Sequence, residues 1–321
     1  MSETLLSVRD LRVQFPGAGQ TVRAVNGVTF DLDAGRTLGI VGESGSGKSI
    51  TGLALLGLVP LPGEVTGGEI WFEGRNLVEL DHDELREIRG GRIAMVFQDP
   101  MTSLNPFLRV SQQITEATRR HLGHSRGDAW EYAVKMLEMV GIPDARARAD
   151  CYPHQFSGGM RQRVMSAMAL ACHPQLLIAD EPTTALDVTI QAQILDLMRD
   201  LRSRTGASMI LITHDLAVVA DIADRVLVMY AGCILESAPA DELFRNPQNP
   251  YTRALLACTP DPERRGQRLD SIPGMPPDPA RFDKNRCPFA ERCPEAIDRC
   301  RQEFPPYHSV GANHWSLCWV R

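Results

Sequence analysis

The sequence has no run of about 18 or more consecutive apolar residues, the length that a membrane-spanning helix requires. Its first residues, MSETLLSVRDLRVQF, alternate apolar and charged side chains and lack the basic region and apolar stretch of a signal peptide. Positive charge is not in excess either, because the net charge is −6 at pH 7. These absences predict a cytoplasmic protein with no bulk attraction to nucleic acid, in a reducing compartment where stable disulfides are rare.

Internal repeats and low-complexity tracts are also absent, and 43% hydrophobic with 23% charged residues is typical of a globular chain. Short apolar or alternating runs predict strands in residues 5–41, and helical periodicity follows at about 110–140. Strands and helices then alternate from about 159 to 237, which predicts an α/β fold with a mostly parallel sheet. Beyond residue 259 lie 10 of the 22 prolines, which indicates a flexible extension or a small domain with little core of its own.

A glycine-rich loop follows the predicted strand RTLGIVG and precedes a predicted helix. The stretch GESGSGKS, residues 42–49, matches G-x-x-x-x-G-K-[ST] at every position. In such a loop the backbone N–H groups and a lysine bind phosphate oxygens, and the final hydroxyl binds Mg²⁺. The predicted nucleotide-binding residues of this loop are Gly42, Ser44, Gly45, Ser46, Gly47, Lys48, Ser49 and Ile50.

Two acids end another apolar strand, LLIADEP, at residues 176–182. On its own, such a pair is often a solvated turn. Beside a phosphate loop, on a neighbouring strand of one sheet, Asp180 is expected to help hold Mg²⁺ and Glu181 to polarise the attacking water. The stretch FSGGMRQR, residues 156–163, predicts a second anion-binding helix start, suited to a nucleotide bound by another chain. Its candidate residues are Ser157, Gly158, Gly159 and Gln162.

Together these motifs resemble those of ABC transporter ATP-binding subunits, over essentially the whole chain. Gln98 resembles the Q-loop glutamine, a further Mg²⁺ contact; residues 185–187 resemble the D-loop with Asp187, and His214 in ITHD the switch histidine. The resemblance implies a P-loop NTPase core with an antiparallel β-subdomain, all within residues 1–258, and an inserted helical subdomain at roughly 99–170. It implies a catalytic set of Lys48, Gln98, Glu181 and His214.

In this family ATP lies between the phosphate loop of one subunit and the SGG helix of the other. Adenine often stacks on an aromatic near the end of the first strand, which is Phe15 here, with Arg23 as a second candidate. The alternative for Phe15 is a core or turn aromatic.

Several longer stretches resemble the peptide-importer branch, above all the dipeptide permeases, with oligopeptide, nickel and glutathione importers as relatives. These include DPMTSLNP after Gln98 and NPQNPYTRALL, where Asn249 replaces a histidine. The resemblance implies a second, different ATPase subunit, two membrane permease subunits and an extracytoplasmic peptide-binding protein. It places the chain on the cytoplasmic side of the cell membrane. The rival reading, a DNA-repair or translation ABC ATPase, is disfavoured by the net charge and by the single cassette.

Four of the eight cysteines lie in the proline-rich tail, spaced C-x₅-C, C-x₆-C and C-x₁₇-C. The other four stand singly in apolar or helical contexts, as structural side chains do: Cys151, Cys172, Cys233 and Cys258. A metal would cross-link a tail that is poor in core residues. The spacing alone leaves open zinc, with His308 or His314 as substitute ligands, an iron–sulfur cluster, and free thiols. The resemblance to peptide importers favours a [4Fe–4S] cluster on Cys287, Cys293, Cys300 and Cys318, within a tail domain of residues 259–321.

Overall fold

The computed structural model describes residues 3–17, 19–99, 103–182, 188–259 and 271–320. The strands found in these residues are β1 Thr4–Pro16, β2 Thr21–Asp33, β3 Thr37–Val41, β4 Glu64–Phe72, β5 Arg75–Asn76, β6 Ile93–Val96, β7 Leu176–Asp180, β8 Ser208–Ile212, β9 Arg225–Tyr230, β10 Cys233–Pro239, β11 Tyr307–Gly311 and β12 His314–Leu317. The helices are α1 Lys48–Leu55, α2 His82–Ile88, α3 Val110–His121, α4 Arg126–Met139, α5 Ala145–Arg148, α6 Gly158–Leu170, α7 Val188–Thr205, α8 Leu216–Ile222, α9 Ala240–Arg245, α10 Pro250–Ala257 and α11 Asp298–Gln302.

The larger sheet has the strand order β11-β12-β10-β9-β3-β8-β7-β6. Strands β9, β3, β8, β7 and β6 are parallel, and β10, β12 and β11 continue the sheet in antiparallel fashion. Every residue of β3, β7 and β8 is buried, as expected for strands covered on both faces. The predicted α/β fold with a mostly parallel sheet is therefore confirmed. The prediction that β7 is a neighbour of the phosphate-loop strand β3 is wrong, because β8 lies between them.

A smaller antiparallel sheet has the order β2-β1-β4-β5. Its strands show the alternation of apolar and polar residues seen in the sequence, so that one face packs inward. That face joins a hydrophobic cluster that includes residues of β3, β8 and α1, for example Leu6, Ile40 and Leu55. The smaller sheet thereby covers the side of the main sheet where α1 begins.

Helices α3, α4, α5 and α6 occupy residues 110–170 between strands β6 and β7. Buried side chains such as Ile114, Leu137 and Val164 join these helices to the main core. The chain therefore leaves the sheet at the carboxyl end of β6 and re-enters it at the amino end of the parallel neighbour β7. No helix in the described part of the chain combines the length and apolar composition that crossing a membrane requires.

The proline-rich tail packs on the rest of the chain rather than forming a flexible extension over residues 271–320. Its hairpin, β11 and β12, extends the larger sheet, with Glu236 and Ser237 of β10 paired to Ser316 and Trp315. Phe289 is buried against two aromatic rings from outside the tail, which are those of Tyr230 and Tyr251. The apolar partners of this tail are thus supplied by the preceding 258 residues.

Candidate functional site

The phosphate loop joins β3 to α1, as the sequence predicts. Two of its glycines lie where no side chain fits. A Cβ on Gly42 would stand 2.1 Å from the carbonyl oxygen of Met229, and a Cβ on Gly47 would stand 2.4 Å from that of Ala24. Gly47 also has a left-handed backbone with φ 99°. The loop is therefore packed tightly against β9 and β2, and its curvature depends on these glycines.

Lys48 opens α1 and its side chain reaches back across the loop. Its Nζ donates hydrogen bonds to the carbonyl oxygens of Gly42 and Glu43, at 2.8 and 2.9 Å. Burial lowers the pKa of Lys48, and the nearby carboxylates of Glu181, Asp180 and Glu43 oppose that change. The ammonium group is thus held at the mouth of the loop with acids around it.

Asp180, the last residue of β7, lies beside the first turn of α1. Ser49 Oγ donates a hydrogen bond to Asp180 Oδ1 at 2.9 Å. Burial raises the pKa of Asp180, while the Ser49 hydrogen bond and the charge of Lys48 act in the opposite direction. A hydroxyl and a carboxylate in contact provide the hard oxygen ligands that Mg²⁺ prefers.

Glu181 is at the centre of a polar group formed by the carboxyl ends of three strands. Gln98, which follows β6, donates from Nε2 to Glu181 Oε2 at 2.9 Å. His214, which follows β8, has Nδ1 at 3.4 Å from Glu181 Oε1. Glu181 has φ 45° and its N–H bonds to the carbonyl of Ile212. The structure thus brings together three residues that are far apart in sequence, beside Asp180 and the phosphate loop.

The SGG segment starts helix α6 in the helical region. Ser157 is the N-cap and its Oγ accepts a hydrogen bond from the backbone N–H of Met160 at 3.4 Å. Gly158 and Gly159 follow it, and Gly158 has open space where a Cβ would be. Gln162 is buried, and its Nε2 has no hydrogen-bond partner among the described residues. Among the described residues, no hydrogen bond joins this segment to the phosphate loop of the same chain.

The other residues predicted to bind the nucleotide differ in their positions and surroundings. Phe15 is half-buried, and its ring lies against Gly63 so closely that a Cβ there would stand 2.4 Å from Phe15 Cε1. Arg23 lies opposite Gln14 in the smaller sheet. Ile50 packs on the apolar cluster below the loop. Asp187 lies outside the described residues.

The eight cysteines form no disulfide bonds in the structure. Cys172 and Cys233 are buried, and burial raises the pKa of their thiols to about 11 and about 12. Cys151 and Cys258 are half-buried. These features suit structural side chains.

The four tail cysteines line one cavity of about 20 Å³, together with Phe289 and Leu317. Burial raises the pKa of the Cys287 thiol to about 12 and also raises that of Cys293. Within the described chain, however, no three His, Cys, Asp or Glu side chains are grouped closely enough to hold one metal ion. The alternative ligands His308 and His314 do not line the cavity, and His314 Nε2 is 2.7 Å from Glu236 Oε1.

Sequence reasoning missed one feature of the site, the ion pair between Glu43 of the phosphate loop and Arg292 of the tail. Its partners are 249 positions apart. The only local signal was the glutamate itself, which occupies a variable position of the loop pattern.

The fold and the loop define a P-loop ATPase of the ATP-binding cassette class. Residues 25–184 match the family model "ABC transporter", and residues 235–300 match "Oligopeptide/dipeptide transporter, C-terminal region". The chain belongs to the ABC transporter ATP-binding proteins that carry this C-terminal region, and its enzymatic activity is ATP hydrolysis.

Three curated relatives are similar over nearly the whole chain. A probable peptide ABC transporter ATP-binding protein of Sinorhizobium fredii is 53% identical, covering 99% of this chain and 95% of the relative. Two Bacillus subtilis proteins follow: the oligopeptide transport protein OppD is 52% identical, covering 98% and 88%, and the dipeptide transport protein DppD is 50% identical, covering 99% and 95%. These identities do not separate dipeptide from oligopeptide relatives.

Solved structures agree with the fold. The dimeric ATP-binding cassette MJ0796 in a post-hydrolysis state, bound to ADP and Pi, has a TM-score of 0.65 and 27% identity. It covers 73% of this chain, and the chain covers 98% of it.

Proposed function

We propose that this chain is the ATP-hydrolysing subunit of an ABC importer for dipeptides or oligopeptides. One observation carries the catalytic part: the carboxyl ends of β6, β7 and β8 bring Gln98, Glu181 and His214 into contact beside the phosphate loop. The similarity of the whole chain to peptide-transport ATPases supports the choice of substrate.

Each residue has a role that fits its position. Lys48 would neutralise charge on the β and γ phosphates of bound ATP, and Ser49, Asp180 and Gln98 would hold Mg²⁺. Glu181 polarises the attacking water. His214, whose Nδ1 lies 3.4 Å from Glu181 Oε1, contacts the γ-phosphate and helps to position that water. The loop residues, including Ser44, Gly45 and Ser46, supply backbone N–H groups, while Phe15 and Arg23 hold the adenine.

The SGG helix acts in trans. Ser157, Gly158, Gly159 and Gln162 close over a nucleotide bound to the partner ATPase, with Asp187 at the contact between the subunits. ATP binding draws the pair of ATPases together and hydrolysis releases it. A different ATPase subunit is the expected partner, and native mass spectrometry of the purified transporter would show a second copy of this chain instead if that is wrong.

The assembly includes two permease subunits and an extracytoplasmic peptide-binding protein, with this chain on the cytoplasmic side of the membrane. Residues 1–258 form the ATPase domain, with the helical subdomain at roughly 99–170, and residues 259–321 form the tail domain. Co-purification of permease subunits supports this assembly, whereas ribosomes or DNA would favour a different ABC ATPase. A radiolabelled panel of peptides, nickel and glutathione identifies the substrate.

The catalytic assignment is tested with Glu181→Gln in the reconstituted transporter. Loss of the general base lowers ATP hydrolysis by about 100- to 10,000-fold while ATP still binds. Glu69→Gln is a matched control, because Glu69 is exposed on the smaller sheet. An unchanged rate in the Glu181 variant would show that this glutamate is not the catalytic base.

The tail cysteines are proposed to hold a [4Fe–4S] cluster. Such a cluster takes one thiolate per iron and spreads its ligands more widely than a single ion does. The observation that supports the proposal is that the four thiols line one cavity. The group would cross-link the tail, and ATP hydrolysis needs no electron from it. Iron and acid-labile sulfide after anaerobic purification are the expected result; one equivalent of zinc would refute the cluster.

A further inference from the structure

An ion pair joins the tail to the phosphate loop. Arg292 Nη1 lies 2.6 Å from Glu43 Oε2, and Arg292 Nη2 lies 2.9 Å from Glu43 Oε1, so the guanidinium binds both carboxylate oxygens. The Arg292 side chain is 5% exposed and that of Glu43 is 25% exposed. Paired, planar contacts of this kind fix geometry as well as charge.

The backbone of Glu43 is held as well. Its N–H donates to Tyr251 Oη at 3.0 Å, and its carbonyl oxygen accepts from Lys48 Nζ at 2.9 Å. Glu43 thus connects the ammonium group that faces the phosphates to two residues from the C-terminal part of the chain. A displacement of Glu43 would move a carbonyl that directly orients Lys48.

Arg292 is itself anchored firmly. Its Nε donates to the carbonyl of Pro273 at 2.9 Å, its Nη1 donates to Tyr230 Oη at 3.2 Å, and its Nη2 lies 3.4 Å from the carbonyl of Ile272. The hydrogen bond with Glu43 raises the pKa of Arg292 above its usual range. A buried guanidinium needs a carboxylate partner, and the loop supplies it. These bonds therefore fix the position of Arg292 and of the Glu43 carboxylate that it binds.

We propose that Arg292 is a positioning residue for ATP binding, which acts through Glu43 by holding the phosphate loop in its binding conformation. The inference deepens the proposed ATPase function and rests on it. It assigns the tail an indirect effect on the nucleotide site, through a glutamate of the phosphate loop. Loss of either partner loosens the loop, and loss of Arg292 also leaves an unpaired carboxylate beside the phosphates.

A double-mutant cycle on the full chain tests this, with the ATP dissociation constant measured by isothermal titration calorimetry. We expect Arg292→Met to weaken ATP binding about tenfold or more, and Glu43→Gln to weaken it less. The double variant should bind ATP no more weakly than Arg292→Met alone, because both changes break the same link. Arg286→Met is a matched control, since Arg286 pairs with Glu291 in the same tail, 2.9 Å away, and should bind ATP like the wild type.

A role confined to stability of the tail predicts a different pattern. In that case Glu43→Gln and folded Arg292→Met each bind ATP like the wild type. Either result overturns the proposal, and so does a double variant in which the effects of the two single changes on ATP binding add. Near-ultraviolet circular dichroism identifies folded samples, and Glu43→Gln carries the test if Arg292→Met does not fold. A wild-type chain that binds no ATP would instead refute the proposed function.

Discussion

Replacement of Phe289 by alanine tests how strongly the tail is attached to the ATPase core. Phe289 is 2% exposed, and its ring centroid lies 5.3 Å from that of Tyr230 and 5.2 Å from that of Tyr251. Truncation of a buried phenylalanine costs about 3–5 kcal/mol, and each aromatic pair contributes about 0.5–1.5 kcal/mol beyond the area buried. Because the cost of truncation already includes the aromatic contacts, we expect the free energy of unfolding to fall by about 4 kcal/mol.

The assay is urea unfolding of the full chain, followed by tyrosine and tryptophan fluorescence, together with limited proteolysis of the native protein. Tail cleavage should accelerate in Phe289→Ala, because the ring is part of the contact that holds the tail. Phe107→Ala is the control, since Phe107 is 86% exposed and its loss should change stability by less than about 0.5 kcal/mol. A change below about 1 kcal/mol in Phe289→Ala would show that the tail is not part of the cooperative core.

Three further predictions concern the loop, a thiol and a buried pair. Gly42→Ala should abolish ATP binding measured by calorimetry without unfolding the chain, because its Cβ would meet the Met229 carbonyl at 2.1 Å. Burial raises the pKa of the Cys233 thiol from 9.0 to about 12, so the folded state favours the protonated thiol. The contribution of this group to stability is complete below about pH 9 and is lost as the pH rises towards 12. Cys233→Ala should flatten that decline in urea melts recorded at different pH values. His314→Ala removes one hydrogen-bond partner of fully buried Glu236, which keeps the backbone N–H groups of Gln248 and Asn249. The free energy of unfolding should fall by about 1–3 kcal/mol in the same assay, and an unchanged midpoint would contradict the pairing.

Sequence reasoning could predict those parts of the site that consist of a few consecutive residues. The phosphate loop, the strand that ends at Asp180 and the helix that begins after Ser157 each depend on a few adjacent residues. Gly42 and Gly47, for example, fit the local loop pattern, although the atoms that leave no room for a Cβ there belong to Met229 and Ala24 on adjacent strands. The grouping of Gln98, Glu181 and His214 was expected only from the family resemblance. The structure explains it, because the parallel strands that precede these residues end at one edge of the sheet.

The remaining features depend on pairings between distant segments, which periodicity does not reveal. The insertion of β8 between β3 and β7 is decided by how the helices cross the sheet. Sequence reasoning also missed the pairing of β12 with β10. It counted only the apolar side chains of the tail itself, and these are few. Its packing partners Tyr230 and Tyr251 lie outside it, so composition alone underestimates its order.

The tail cysteines and the phosphate loop are connected through one short turn. Arg292, which holds Glu43, is followed directly by Cys293, and the N–H of Arg292 bonds to the carbonyl of Phe289 within the same turn. A group bound by the thiols of Cys287 and Cys293 would therefore also restrict the backbone next to the guanidinium that pairs with Glu43. If Arg292 positions the phosphate loop as proposed, a loss of order at these thiols is expected to weaken ATP binding as well.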